Sequence, residues 1–312
     1  MKIIDLKTEK ETTLSESDRV SCALGNFDGV HLGHRVLLRI AAEKKNATKS
    51  AVWTFSEPSS RTTSGISLLT DPEERLAIFR ALGIDLVFMT DFASVRGIDK
   101  ETFAKEILYE KCHVRTAVCG FNFRYGAGAS GNADTLKTSL AALGAEVEIV
   151  PQFMLKGETV SSTEIRAALS AGNVEKAAEM LSRPYALEAV VLHGKKLGRT
   201  LGFPTANQTF PQRRAVPRFG VYAVRMTVDG KIYHGVANVG VRPTVERTDA
   251  VNCETYLLDF RGDLYGKTVK TEFLHFLREE QRFESVAALK TAVDHNILQA
   301  KAYFEAQKER RQ

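Results

Sequence analysis

Gly25-Asn26-Phe27-Asp28-Gly29-Val30-His31-Leu32-Gly33-His34 decides how the first half of this chain is read. The short apolar run Val20–Leu24 leads into it and reads as a strand. Val36, Leu37, Ile40 and Ala41 follow at helical spacing, so a helix is expected over 34–45. The ten residues are therefore a strand-to-helix turn. Gly29 and Gly33 permit a tight turn and close approach of a ligand to the backbone. His31 and His34 straddle the expected helix N-terminus, where unpaired amides and the macrodipole attract anions. Two imidazoles at this spacing can both donate to phosphate oxygens. A lone histidine would read as an ordinary surface residue, but this pair reads as a phosphate site.

Outward from this turn, strands and helices alternate. Strands are expected over 51–55, 85–90, 117–120 and 146–150, and helices over 100–110 and 135–142. Asp71-Pro72-Glu73-Glu74 opens a further helix, with Asp as N-cap and Pro in the first turn, and Gly83 ends it. Such alternation implies a parallel sheet covered by helices, whose ligands bind beyond the carboxyl ends of the strands. A helix is expected over 163–181, then a domain boundary at Arg183-Pro184. Beyond it, short alternating segments at 188–192, 221–228, 231–238 and 252–260 read as antiparallel β-structure, a small barrel, with Asp229-Gly230 as a hairpin turn. A helix over 285–307 closes the chain. The expected architecture is α/β plus β: a domain at 1–182 and a second at 183–312.

Composition bounds the class. At 312 residues the chain is about twice a typical domain. It is 44% hydrophobic and 26% charged, which suits a globular protein and argues against disorder. It has no run of 18 apolar residues and no apolar leader, so neither a membrane span nor a signal peptide is expected. Cys22, Cys112, Cys119 and Cys253 lack metal-site spacing and read as reduced core thiols of a cytoplasmic protein. Residues 1–182 hold 22 basic against 24 acidic side chains, and residues 183–312 hold 21 against 14. A basic second half suits anionic small ligands, although a solvated surface explains it equally. No aromatic–basic run marks a nucleic acid site. The chain is expected as a monomer or weak homo-oligomer.

The second half has no P-loop. It has His193-Gly194-Lys195-Lys196-Leu197-Gly198-Arg199-Thr200-Leu201-Gly202-Phe203-Pro204-Thr205-Ala206-Asn207. Glycines and basic residues in one loop suit phosphate, yet taken alone the loop also reads as a surface turn. Thr205 and Asn207 offer neutral oxygens on one side of an extended chain, which fits Mg²⁺. Glu254 stands in an otherwise apolar strand, where every second residue can simply face solvent.

The turn at 25–34 resembles the His-x-Gly-His nucleotidylyltransferases. The longer string Gly-x-Phe-Asp-Gly-Val-His-x-Gly-His is similar to the FMN adenylyltransferase half of bacterial bifunctional FAD synthetases. Gly120-Phe121-Asn122-Phe123-Arg124-Tyr125-Gly126, followed by Gly131, resembles a second segment of that family. Val160-Ser161-Ser162-Thr163-Glu164-Ile165-Arg166 resembles a third, although Ser161-x-x-Glu164 is also a common capping box. The resemblance implies that Gly25, Phe27, Asp28, Gly29, Gly33, Asn122, Ser162 and Thr163 contact ATP. It implies that His31, His34 and Arg166 stabilise the transferring phosphate. Residues 199–207 resemble the riboflavin kinase signature, as do 220–223, 235–244 and 263–266. This implies ATP contacts from Gly194, Lys195, Arg199, Gly202 and Pro204, a metal site at Thr205 and Asn207, and Glu254 as catalytic base.

The implied activity is conversion of riboflavin to FMN and of FMN to FAD. ATP is co-substrate, with Mg²⁺ (or Mn²⁺) as metal, and neither nucleic acid nor membrane is a partner. Two departures stand out. Thr54-Phe55-Ser56-Glu57-Pro58-Ser59 fits the family's pattern loosely, and Asn132 replaces a common Asp. The loose loop leaves a kinase with an inert first domain as one alternative. A flavin-responsive regulator, binding RNA through the basic half, is another.

Overall fold

The structure is a computed structural model and describes residues 1–8, 14–15, 17–43, 47–56, 67–193, 203–241 and 250–309. The chain divides into two compact units, 1–162 and 163–312.

The first unit is built on β1 (Lys2–Asp5), β2 (Val20–Leu24), β3 (Lys49–Phe55), β4 (Leu86–Thr90), β5 (Val114–Gly120) and β8 (Glu146–Val150). All pair in parallel, in the order β1-β4-β3-β2-β5-β8. Every residue of β2 is buried, as a central strand covered on both faces must be. Cys22 and Leu24 face a core that includes Trp53, Phe88 and Phe103. Ala23 faces the other, with Val52, Val87 and Val118. From β2 the chain moves outward to β3 and β4, then returns to β5 on the opposite side. The switch in direction leaves a crevice at the carboxyl ends of β2 and β5.

The helices are α1 (Leu32–Ala42), α2 (Pro72–Ala81), α3 (Phe92–Val95), α4 (Lys100–Thr102) and α5 (Ala133–Ala141). Asp71 caps α2 as expected, accepting from the Glu74 amide at 2.7 Å. Asn132 caps α5, accepting from the Thr135 amide at 2.8 Å, so the Asn does the work an Asp would do. The expected helix over 100–110 is α4 running directly into a π-helix, Phe103–Lys111. Two short hairpins complete the unit: β6 (Arg124–Tyr125) with β7 (Gly131–Asn132), and β9 (Met154–Leu155) with β10 (Glu158–Thr159).

The second unit begins earlier than Arg183-Pro184. The expected helix over 163–181 is two helices, α6 (Ser162–Ser170) and α7 (Val174–Leu181). Gly172, at φ +82°, turns the chain, and Asn173 caps α7. These helices pack on the barrel that follows: the Arg218 amide donates to Leu169 O at 2.9 Å, and Glu175 pairs with His275 at 2.5 Å. That packing moves the division to Ser162/Thr163. The sheet is antiparallel: β11 (Tyr185–Val190), β16 (Thr268–Glu279), β13 (Gly220–Val228), β14 (Lys231–Val241), β15 (Val251–Leu257) and β12 (Thr205–Thr209), in that order. Among the described residues a bridge from Leu192 to Asn207 joins the two ends and draws the sheet round into a barrel. Its interior holds Met226, Val228, Leu257 and Val269. The last helix, Val286–Glu309, lays Ala300 and Phe304 on the outer face of β13 and β14 against Val221, Ala223 and Val236. All four cysteines are buried and unpaired, and burial pushes the Cys119 and Cys253 thiols up to about 12.

Candidate active sites

In the first unit the turn after β2 is held by its own side chains. The Asp28 carboxylate is buried and accepts from the Leu69 and Thr70 amides at 2.9 and 3.2 Å, and from the Thr70 hydroxyl. The Gly29 amide donates to that hydroxyl at 3.0 Å, and the Ser162 hydroxyl donates to Asp28 O at 2.9 Å. Asp28 and Ser162 therefore frame the loop. This frame sustains a strained backbone: Phe27 and Val30, both L-residues with side chains, sit at φ +54° and +39°. Phe27 is buried, with its ring edge against His34 at 5.2 Å.

His31 is the N-cap of α1, which begins at Leu32, two residues earlier than the sequence suggests. Its Nδ1 accepts from the His34 amide at 3.3 Å. A ring that accepts at Nδ1 holds its proton on Nε2. The His31 and His34 rings stack at 3.6 Å. Burial, and then the neighbouring His31, hold the His34 pKa well below the usual imidazole range, so His34 is neutral at physiological pH. No acidic residue occupies the first turn of α1, which leaves its dipole uncompensated at the loop.

The loop opens into a cleft of about 770 Å³ at the β2/β5 switch. Gly25, His31, Gly33, His34 and Asn122 line its polar part. Trp53, Phe55, Phe103, Phe123 and Tyr125 form an aromatic wall, with Trp53 edge-on to Phe55 and Phe103 at 5.1 Å. One end suits phosphates and the other a flat ring system. Thr163 and Arg166 lie on α6, in the second unit. Of the loop that departs from the family pattern, Ser56 is described, while 57–59 lie outside the described residues.

Sequence reasoning missed Arg75. It is 1% exposed and donates to the carbonyls of Asn26 (2.9 Å), Phe55 (2.7 Å) and Ser56 (3.3 Å). It thereby ties the histidine loop to the aromatic wall. An arginine in the first turn of a helix reads as solvated, so no local signal marks it.

In the second unit register assembles the site. Glu254 on β15 stands directly opposite Asn207 on β12 and Asn238 on β14. Directly opposed residues share a face, so the three side chains form one polar row on the outside of the barrel. Thr205 lies on the same face, opposite Tyr256. Asn207 Nδ2 donates to Thr205 O at 3.1 Å, which turns the amide's donor end back onto β12. Two neutral oxygen donors fit a hard cation that brings phosphates and water with it. No trio of His, Cys, Asp or Glu suited to a metal occurs among the described residues. Tyr265 packs its ring against His193 at 3.9 Å, joining two of the segments read from sequence. Pro204 is exposed just before β12, while Gly194, Lys195, Arg199 and Gly202 lie outside the described residues.

Comparison with known proteins matches both units. Residues 13–164 match the FAD synthetase family and residues 181–304 the riboflavin kinase family. A bifunctional riboflavin kinase/FMN adenylyltransferase of Pseudomonas fluorescens is 39% identical, over 89% of this chain and 91% of its own. The proteins of that name from Bacillus subtilis and Escherichia coli are 33% and 36% identical, over 97% and 93% of this chain and 98% and 95% of theirs. A solved structure described as a macrolide-efflux protein from Streptococcus pneumoniae superposes with a TM-score of 0.83 at 29% identity, over 96% of this chain and 98% of its own. Among the described residues here, no helix is long and apolar enough to cross a membrane. A histidine-bearing strand-to-helix loop in one unit and a Thr/Asn/Glu face in the other fall within the two matched regions, and the chain belongs to the bifunctional riboflavin kinase/FMN adenylyltransferase family.

Proposed function

We propose that the second unit phosphorylates riboflavin to FMN with ATP, and that the first transfers AMP from a second ATP to FMN, giving FAD and pyrophosphate. The observation that carries this is the occurrence of both family regions in one chain, each with its own constellation of polar side chains. It leaves the kinase with an inert first domain, and the RNA-binding regulator, without support.

In the adenylyl step an FMN phosphate oxygen attacks the α-phosphorus of ATP, and the bond to the β-phosphate oxygen breaks. The nucleophile is already an anion, so alignment and charge stabilisation suffice. His31 Nε2–H and the neutral His34 donate hydrogen bonds to the phosphate oxygens. The α1 N-terminus adds its dipole. The flavin ring lies against the aromatic wall.

In the kinase step Glu254 accepts the proton of the terminal ribityl hydroxyl, whose oxygen attacks the γ-phosphorus, and ADP leaves. Asn207 and Thr205 would hold Mg²⁺. When bound, Mg²⁺ supplies charge neutralisation on the phosphates. The buried, unpaired cysteines suit a cytoplasmic location.

The test is incubation of the purified protein with riboflavin, ATP and Mg²⁺, with flavins separated chromatographically over time. FMN appears first, then FAD. Supplying FMN and ATP directly and finding no FAD would leave only the kinase.

A further inference from the structure

The outer face that carries Asn238 continues across β13 to β16. Asn238 stands opposite Val221 on β13, and Val221 opposite Arg278 on β16. Arg278 is fixed: its Nε donates to Oδ1 of the buried Asn296 on the last helix at 3.1 Å, and its Nη1 to Glu279 O at 2.9 Å. Phe283 lies against its guanidinium at 5.5 Å. The segment after β16 is thus held at two points, and Glu280 lies between them.

Glu280 has an unusual seat. A Cβ built on Gly240 would lie 2.2 Å from Glu280 Oε1 and 2.8 Å from its Cδ. The carboxylate therefore rests over the bare backbone of β14, in a notch that exists only because residue 240 is glycine. Gly240 is two residues beyond Asn238 and opposite Asn252, so this notch is on the face that carries Glu254. Gly240 and Glu254 are diagonal neighbours across β14 and β15, on the order of 7–8 Å apart. The adjacent Glu279 is ion-paired with Arg218. Among the described residues Glu280 has no such partner. A cleft of about 470 Å³, with Val216, Pro217 and Phe219 on its apolar side, opens beside it.

We propose that Glu280 is a second carboxylate of the kinase site, accepting hydrogen bonds from inner ribityl hydroxyls of riboflavin while Glu254 takes the terminal one. This rests on the kinase reading of that face. A ribityl chain is a row of hydroxyl donors, and a carboxylate seated over Gly240 on the face that carries Glu254 offers it a second acceptor. Glu280 binds substrate and takes no proton in the reaction. The Gly240 notch sets where it binds.

The test compares the unaltered protein with Glu280→Gln, Gly240→Ala and the double variant. Gly240→Ala keeps the β14 backbone, because the group its Cβ displaces is the tip of a flexible side chain. KM for riboflavin should rise on the order of tenfold in each single variant, with little further change in the double one. KM for ATP should hold. Lumiflavin, which lacks the ribityl chain, should inhibit all four proteins equally. The unchanged KM for ATP in the same kinase assays, together with the lumiflavin inhibition, reports that the second unit is folded. An unchanged KM for riboflavin in Glu280→Gln or in Gly240→Ala overturns the proposal. So does a parallel loss of lumiflavin inhibition, which would put the carboxylate on the ring. An unaltered protein that makes no FMN overturns the kinase reading itself, a different result.

Discussion

The two candidate sites are built on opposite plans. The histidine site is contiguous: ten residues of chain supply the loop, its cap and both imidazoles, and buried bonds from Asp28 and Arg75 hold it in a strained shape. The candidate site of the second unit is dispersed. Asn207, Asn238 and Glu254 come from three strands and meet only because antiparallel register sets them opposite one another. A contiguous site is protected by its own frame, whereas a dispersed one depends on every strand keeping register.

Glu254→Ala should produce the largest effect, lowering the kinase kcat on the order of a thousandfold by loss of the general base. Steady-state FMN formation measures it, and a loss below tenfold would reduce Glu254 to a strand residue. His31→Ala comes next. Loss of one phosphate donor should cost about 3–4 kcal/mol of barrier in FAD formation, with the kinase unaffected. The removed ring is also the α1 cap, so thermal unfolding of this variant should be recorded beside its rate.

Arg75→Met probes the frame instead of the chemistry. It removes hydrogen bonds from a buried cation to three carbonyls and should destabilise the first unit by about 2–3 kcal/mol. KM values for FMN and ATP should rise in the adenylyl step only. Equal weakening of both activities would mean that the frame is not local. The smallest effect concerns His34. Its folded pKa is depressed, so the unfolded chain binds the proton first as pH falls. The neutral ring's contribution is present above the unfolded imidazole pKa and is lost as pH drops through the folded one. Unfolding midpoints of the unaltered protein and His34→Gln should therefore converge as the medium is acidified from neutrality. Curves that stay parallel would mean that His34 does not titrate with folding.

The same contrast governs what the sequence reveals. Val20–Leu24 and the capped start at Asp71 are legible because their signals are local. The strand-to-helix turn at 25–34 is legible for the same reason. Residues 268–279 escape because β-bulges between β13 and β16 interrupt the alternation of this longest strand. The continuous helix expected over 163–181 fails at Gly172-Asn173, a stop followed at once by a new cap. Asp28 reads as a ligand contact, yet its partners Leu69 and Thr70 are more than forty residues away and invisible locally. Arg75 and Glu280 act through tertiary neighbours alone, Asn26 and Phe55 for one and Gly240 for the other.

Two separable sites in one chain is the reading on which both steps depend. Its most direct test is a single flavin time course run on the unaltered protein, His31→Ala and Glu254→Ala with riboflavin, ATP and Mg²⁺. FMN then FAD is expected for the first, accumulation at FMN for the second, and untouched riboflavin for the third, which still converts added FMN to FAD. Loss of both conversions from either substitution, in a protein that remains folded, would contradict it.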